Sequence, residues 1–273
     1  MEMNYAWLKD PSVFAVNRLP AVSSHPFYAD RQEMEEKSSS LVHCLNGTWK
    51  FKYVESISAL NDSFTKADTD VSDWDDIEVP GHLQLQGYGT PMYVNITYPW
   101  SGTEELIPGE IPEHNPVGCY VTEFDSSILN DHTRTHIVFH GVESAVALWV
   151  NGRFVGYSED SFTPSAFDIT DFMIPGKNRI SAEVFRFSSG SWLEDQDFWR
   201  FSGIFRDVTL ESVPSIHVRN LNITPYLNES YDEADLKVHT DIDSEETFTL
   251  SCYLYDKNEC IARVTDVTDT DIS

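Results

Sequence analysis

The segment AVALWVNGRFVGYS, Ala145–Ser158, decides the fold class. Two apolar runs of strand length, Ala145–Val150 and Arg153–Ser158, flank the dipeptide Asn151-Gly152. Asn-Gly is the strongest short hairpin signal, because both residues tolerate the positive φ that a tight two-residue turn requires. Further runs of strand length lie on either side: Cys119–Phe124, Thr135–His140, Arg179–Phe187 and Phe205–Leu210. Pro175 to Asn178 marks another turn, and Asn46-Gly47 opens a run in which Trp49, Phe51 and Tyr53 alternate with Lys50 and Lys52. In the 179–187 run, Ile180, Ala182 and Val184 face one way and Ser181 and Glu183 the other. Phe185 and Phe187 then put large rings on the polar side, which predicts a second covering layer.

Residues 1–43 lack periodicity and are interrupted by Pro11, Pro20 and Pro26, so they read as an exposed arm that covers its own domain or a partner subunit, with a short polar helix within Tyr28–Lys37. Residues 57–76 are polar, with Phe64 and Trp74 as anchors. Residues 80–118 form the longest irregular stretch, and such loops usually carry function. There Tyr93, Asn95, Tyr98 and Trp100 combine aromatic faces with an amide that both donates and accepts, the pair of properties a sugar hydroxyl needs. Residues 44–213 thus read as one β-sandwich. A second domain begins after Pro214, with candidate strands Ile216–Ile223, Leu236–Asp241, Thr247–Tyr255 and Ile261–Val264. An immunoglobulin-like sandwich needs about seven strands, so residues 214–273 are expected to be an incomplete one and the chain a fragment of a longer protein.

The composition excludes several classes of function. With 45 acidic against 18 basic residues, a formal charge of −27 argues against nucleic acids and anionic membranes as partners. No apolar run approaches a membrane span or a signal peptide, so a cytoplasmic location is expected. The four cysteines form no CxxC pair and are expected to be buried free thiols. His132, His136 and His140 recur every four residues, but Ile137, Val138 and Phe139 make the segment a strand, on which that spacing does not gather a zinc site.

The chemistry-bearing stretch is SSGSWLEDQDFWRFSGIFRDVTL, Ser188–Leu210. Glu194, Asp195 and Asp197 sit among Trp192, Phe198, Trp199 and Phe201, where an unpartnered charge is costly; Arg200 and Arg206 are candidate partners. Three readings stand. The carboxylates cap turns and pair with the arginines; or carboxylates beside aromatic faces hold a sugar; or Asp195 and Asp197, about 6–7 Å apart in an extended segment, work as a glycosidase acid and base.

WLEDQDFWRFSGIFRDV, preceded by NGRFVGYSEDSFTPSAFDIT, VPGHLQLQGYGTPMYVNITYPW, NPVGCY and NRLPAVSSHPF, resembles the sugar-binding domain of the large β-galactosidases of glycoside hydrolase family 2, as far as about Val213. The resemblance implies an all-β chain: a jelly-roll, galactose-binding-like sandwich followed by a truncated immunoglobulin-like one. It implies that Asp197 lies at the edge of a galactose pocket and helps hold a sodium ion in the complete enzyme, and that Asn95 reaches the same pocket. It places the catalytic carboxylates and magnesium ligands in a later (β/α)₈ barrel absent from these residues. The expected activity of the parent is then hydrolysis of terminal β-galactosides such as lactose with retention, in an oligomer of one-chain or two-chain protomers. The 273-residue chain is expected to have no turnover and to bind neither metal by itself. A free-standing carbohydrate-binding module is the alternative, and a purely assembly role a third.

Overall fold

The computed structural model describes residues 1–273 except 24, 130–133, 195–196, 245, 269–270 and 273. The chain is all-β, with one six-residue α-helix, α1 (Arg31–Glu36), among the described residues. It divides into two units. The first comprises residues 1–21, 41–131 and 135–212; the second comprises 22–40, 132–134 and 213–273.

In chain order the strands of the first unit begin with β1 (Ala15–Val16), β2 (Val42–Cys44), β3 (Gly47–Val54), β4 (Asp75–Val79) and β5 (Met92–Val94). They continue with β6 (Val117–Asp125), β7 (Arg134–Phe139), β8 (Val142–Glu143), β9 (Ala145–Val150) and β10 (Arg153–Glu159). The last five are β11 (Ser165–Asp168), β12 (Lys177–Phe185), β13 (Phe198–Arg200), β14 (Gly203–Ile204) and β15 (Val208–Val213). A seven-stranded sheet in the order β1-β10-β9-β12-β6-β3-β4 faces a four-stranded sheet in the order β11-β7-β15-β2, giving a jelly-roll sandwich.

The hairpin expected at Asn151-Gly152 joins β9 to β10 with Val150 opposite Arg153. Its two residues take φ of 51° and 80°, the left-handed pair that such a turn demands. Asn151 also ties the hairpin to β12, accepting from the Arg179 amide at 2.9 Å and donating to Asn178 Oδ1 at 2.8 Å.

Between the sheets the alternating residues interdigitate: Trp49 and Phe51 of β3, Ile180, Ala182 and Val184 of β12, Ile137 and Phe139 of β7, and Val208 and Leu210 of β15. Removing these side chains from water is the main force holding the sandwich, about 1.5–3 kcal/mol for each large one. The outer face of the seven-stranded sheet is also buried. Val117, Val121, Ala147, Trp149, Tyr157 and Phe185 form a second cluster there with Leu8, Phe64 and Ile111, which is the covering layer predicted from Phe185.

Three expectations need correction. The arm covers its own domain as expected, but its first part is not exposed: Leu8 has no accessible surface, the Tyr5 ring meets Phe185 edge-on at 6.1 Å, and β1 pairs with β10. The physical reason is the doubly apolar sheet, whose outer face would otherwise be wet. Tyr5 further donates its hydroxyl to the buried Glu183 carboxylate at 3.2 Å, so the arm satisfies an acid as well as covering rings. Leu8→Ala is therefore expected to destabilise the sandwich by about 2 kcal/mol, read as a lowered urea midpoint with unchanged slope; an unchanged midpoint would mean that the arm does not pack. Second, the last strand of the sandwich starts at Val208, since Phe205 and Arg206 turn back to bond the Gly141 carbonyl. Third, Cys119 is buried, but Cys44 and Cys260 are exposed and Cys252 lies between, although all four are free.

The second unit carries β16 (His217–Leu227), β17 (Ala234–Asp243), β18 (Leu250–Asp256), β19 (Glu259–Val267) and β20 (Asp271–Ile272). β16, β17 and β20 form one sheet and β18 with β19 a ribbon, an immunoglobulin-like arrangement of five described strands. A bulge between Leu254 and Tyr255 interrupts the candidate strand at 247–255, and Leu254 is exposed. The polar helix α1 is capped by Asp30, whose carboxylate accepts from the Glu33 amide at 3.0 Å.

Candidate sugar site

The two irregular segments singled out in the sequence meet in a small ribbon. β5, from the 80–118 loop, pairs antiparallel with β13, from the acidic-aromatic loop, with Phe198 opposite Val94, Trp199 opposite Tyr93 and Arg200 opposite Met92. Asp197 and Asn95 are the residues that flank the Phe198 and Val94 pair at the end of this ribbon, each in a bend just outside its strand. Both Asp197 and Asn95 are exposed, and the Tyr93 hydroxyl donates to Asp197 Oδ1. Tyr93, Phe198 and Trp199 stay about half exposed, at 52%, 47% and 48%.

Rings continue away from this rim. Trp199 meets Tyr93 at 5.7 Å and Phe201 at 5.8 Å; Phe201 stacks on His82 at 4.6 Å, and His82 on Phe205 at 5.2 Å. The rim therefore presents a carboxylate and an amide next to aromatic faces. Trp100 does not belong to it: only 4% exposed, it stacks on Tyr98 at 5.2 Å and packs against Trp192 at 4.8 Å. Its role is to seal the loop, as the size of an indole beside the apolar Phe187 dictates.

A narrow cleft lies beside the loop, lined by Glu143, Ser144, Arg186, Phe187, Glu194 and Arg200 among others. The Glu143 carboxyl is pushed up to about 8: burial first and then the charge of Glu194 raise it, while the Arg200 and Arg186 guanidiniums oppose the rise. Burial also raises the Glu194 carboxyl, against hydrogen bonds from Ser161. The Ser161 amide donates to Glu194 Oε1 and its hydroxyl to Oε2, each at 2.7 Å. Arg200 donates to the backbone carbonyl of Glu194, and Arg206 donates to the Phe162 carbonyl at 2.9 Å while lying over the Phe205 ring. The latter fits a guanidinium, which is more readily desolvated against aromatic faces than an ammonium.

Asp195, one member of the acid–base pair considered above, and His132 lie outside the described residues. His140 bonds Thr209 at 3.1 Å and His136 approaches Asp168 at 3.9 Å. No group of three or more His, Cys, Asp or Glu able to hold a metal occurs among the described residues, and no described helix is long and apolar enough to cross a membrane.

Residues 42–214 match the family of glycosyl hydrolases family 2, sugar binding domain. The chain belongs to that family. Among curated relatives, it is 47% identical over 268 residues to a β-galactosidase of Halalkalibacterium halodurans, an alignment covering 97% of the chain and 26% of that protein. It is 40% identical over 258 residues to a β-galactosidase large subunit of Leuconostoc lactis, covering 90% of the chain and 41% of that subunit. The chain thus spans about a quarter to two fifths of the length of these relatives. Among solved structures, a β-glucuronidase from an uncultured Clostridium superposes with a TM-score of 0.62 at 18% identity, covering 91% of the chain and 40% of that protein, which speaks to the shared fold.

Glu143 and Ser161 escaped the sequence reading. Glu143 is a lone acid between Val142 and Ser144, and nothing in its flanks foretells that the short β8 strand will turn it into a cleft beside two arginines. Ser161 stands in the quoted NGRFVGYSEDSFTPSAFDIT stretch, but its partner Glu194 is 33 residues away, beyond any local spacing rule.

Proposed function

We propose that this chain is the sugar-binding portion of a retaining β-galactosidase that cleaves terminal β-galactosides such as lactose. The observation that carries this reading is the β5–β13 ribbon, at whose end exposed Asp197 accepts from the Tyr93 hydroxyl and exposed Asn95 follows Val94, near the half-exposed rings of Tyr93 and Trp199. A carboxylate accepts from two sugar hydroxyls, an amide both donates and accepts, and an aromatic face takes the apolar side of a pyranose. The family membership and the β-galactosidase names of the relatives agree with it.

Retaining hydrolysis needs a nucleophile and an acid carboxylate about 5 Å apart across the scissile bond. The acids of the cleft do not meet that need, since both oxygens of Glu194 are engaged by Ser161 and Glu143 is only 9% exposed. The reacting carboxylates, and a magnesium site, then belong to a catalytic barrel in the rest of the parent. Asp197 is the residue that would hold sodium. One carboxylate offers at most two of the roughly six oxygens a hard cation takes, so the remaining ligands would come from the barrel. An oligomeric, cytoplasmic parent completes the reading; the free state of all four cysteines suits a reducing compartment.

The test is to assay the parent enzyme and the 273-residue chain side by side on a chromogenic β-galactoside. Turnover by the parent alone is expected. Measurable turnover by the shorter chain would overturn the assignment of the chemistry to the barrel.

A further inference from the structure

Consecutive points on one edge of the sandwich grip the loop that leads to Asp197. At the end of β10, the buried Glu159 carboxylate accepts from the Ser189 hydroxyl at 2.8 Å and the Gly190 amide at 2.7 Å, and from the Tyr157 hydroxyl at 2.6 Å. Two residues on, the fully buried Ser161 engages both oxygens of Glu194. The Leu193 and Glu194 amides close back on the Gly190 carbonyl at 2.9 Å. Arg200 of β13 donates to the Glu194 carbonyl.

The carboxylate of Glu194 is an expensive way to hold a loop. Desolvating an acid costs several kcal/mol, and an apolar side chain would anchor the segment without that penalty. What two-oxygen acceptance adds is direction, since the Ser161 amide and hydroxyl fix both the position and the rotation of the carboxyl plane. We propose that Glu194 and Ser161 form a latch that positions Asp197 for galactoside binding; this rests on the sugar-binding reading above. Glu194 is a positioning residue here, acting through Asp197 and touching no sugar.

Three variants and two readouts test it. Glu194→Met keeps the length and removes both acceptors; Ser161→Ala removes one donor with little change in volume; Glu194→Gln keeps an oxygen facing the Ser161 amide. In the full-length enzyme, Glu194→Met and Ser161→Ala are expected to raise KM for a chromogenic β-galactoside about tenfold with kcat within twofold, because lost positioning of a binding group removes uniform binding. Glu194→Gln should restore most of the affinity. In the 273-residue chain, the same two variants should speed amide exchange at least tenfold over residues 197–200 while β12 amides keep their protection. A KM within twofold of the parent in both variants, while Asp197→Ala weakens binding, overturns the latch. If Asp197→Ala itself leaves KM unchanged, the sugar-binding reading has failed, and the exchange experiment then decides the latch alone: unaltered exchange over 197–200 overturns it.

Discussion

Glu143→Gln is expected to remove most of the alkaline loss of stability of the sandwich. An unfolded chain releases the proton of this carboxyl near the ordinary value of 4.5, whereas the folded chain keeps it until about 8. Between those values the folded state binds a proton that the unfolded state does not, so the stabilisation is complete below about 4.5, declines as the pH rises, and is gone above about 8. The whole span amounts to roughly 5 kcal/mol at most. The groups facing Glu143 are Glu194, Arg200 and Arg186, with the Phe201 amide bonded to it. Glutamine keeps an oxygen for that amide and carries no charge to desolvate. Urea unfolding at pH 5, 7 and 9 should show a steep decline for the parent chain and a shallow one for the variant. The residual slope is assigned to Glu194, whose carboxyl burial raises in the same direction. Parallel declines in the two proteins would contradict the assignment of the buried charge to Glu143.

The second large effect is expected at Asp197 in the full-length enzyme. Hydrogen bonds to a charged group contribute about 1.5–3 kcal/mol, so Asp197→Ala should lower kcat/KM for a β-galactoside roughly 10- to 100-fold. Its melting temperature should stay close to that of the parent, because the side chain is exposed and its one described contact is with Tyr93. Any sodium dependence of galactoside affinity should disappear with the carboxylate. Asn95→Ala removes a neutral partner and should cost less, about 0.5–1.5 kcal/mol. An Asp197→Ala enzyme with undiminished kcat/KM would show that the exposed acid faces solvent and not sugar.

The strands were legible because their signals are local. Alternation in Trp49, Phe51 and Tyr53, the left-handed tolerance of Asn151-Gly152, and the lengths of the runs from 119 to 210 depend only on neighbours in the chain. Asp197 and Asn95 were legible as residue types suited to sugars, and the resemblance named the same two. The burial of the arm's first part was not legible because Leu8 and Tyr5 have no periodicity of their own; they are ordered by the apolar outer face of a sheet assembled from distant parts of the chain.

Local pattern and residue chemistry thus determined an all-β chain, its hairpin and the acidic-aromatic loop. Tertiary structure alone decided that the Asp197 carboxylate meets the Tyr93 hydroxyl, that Ser161 engages both oxygens of Glu194, and that Glu143 carries its proton to about pH 8. The reason is that each of these depends on pairing register or on desolvation, and both arise only when distant segments pack.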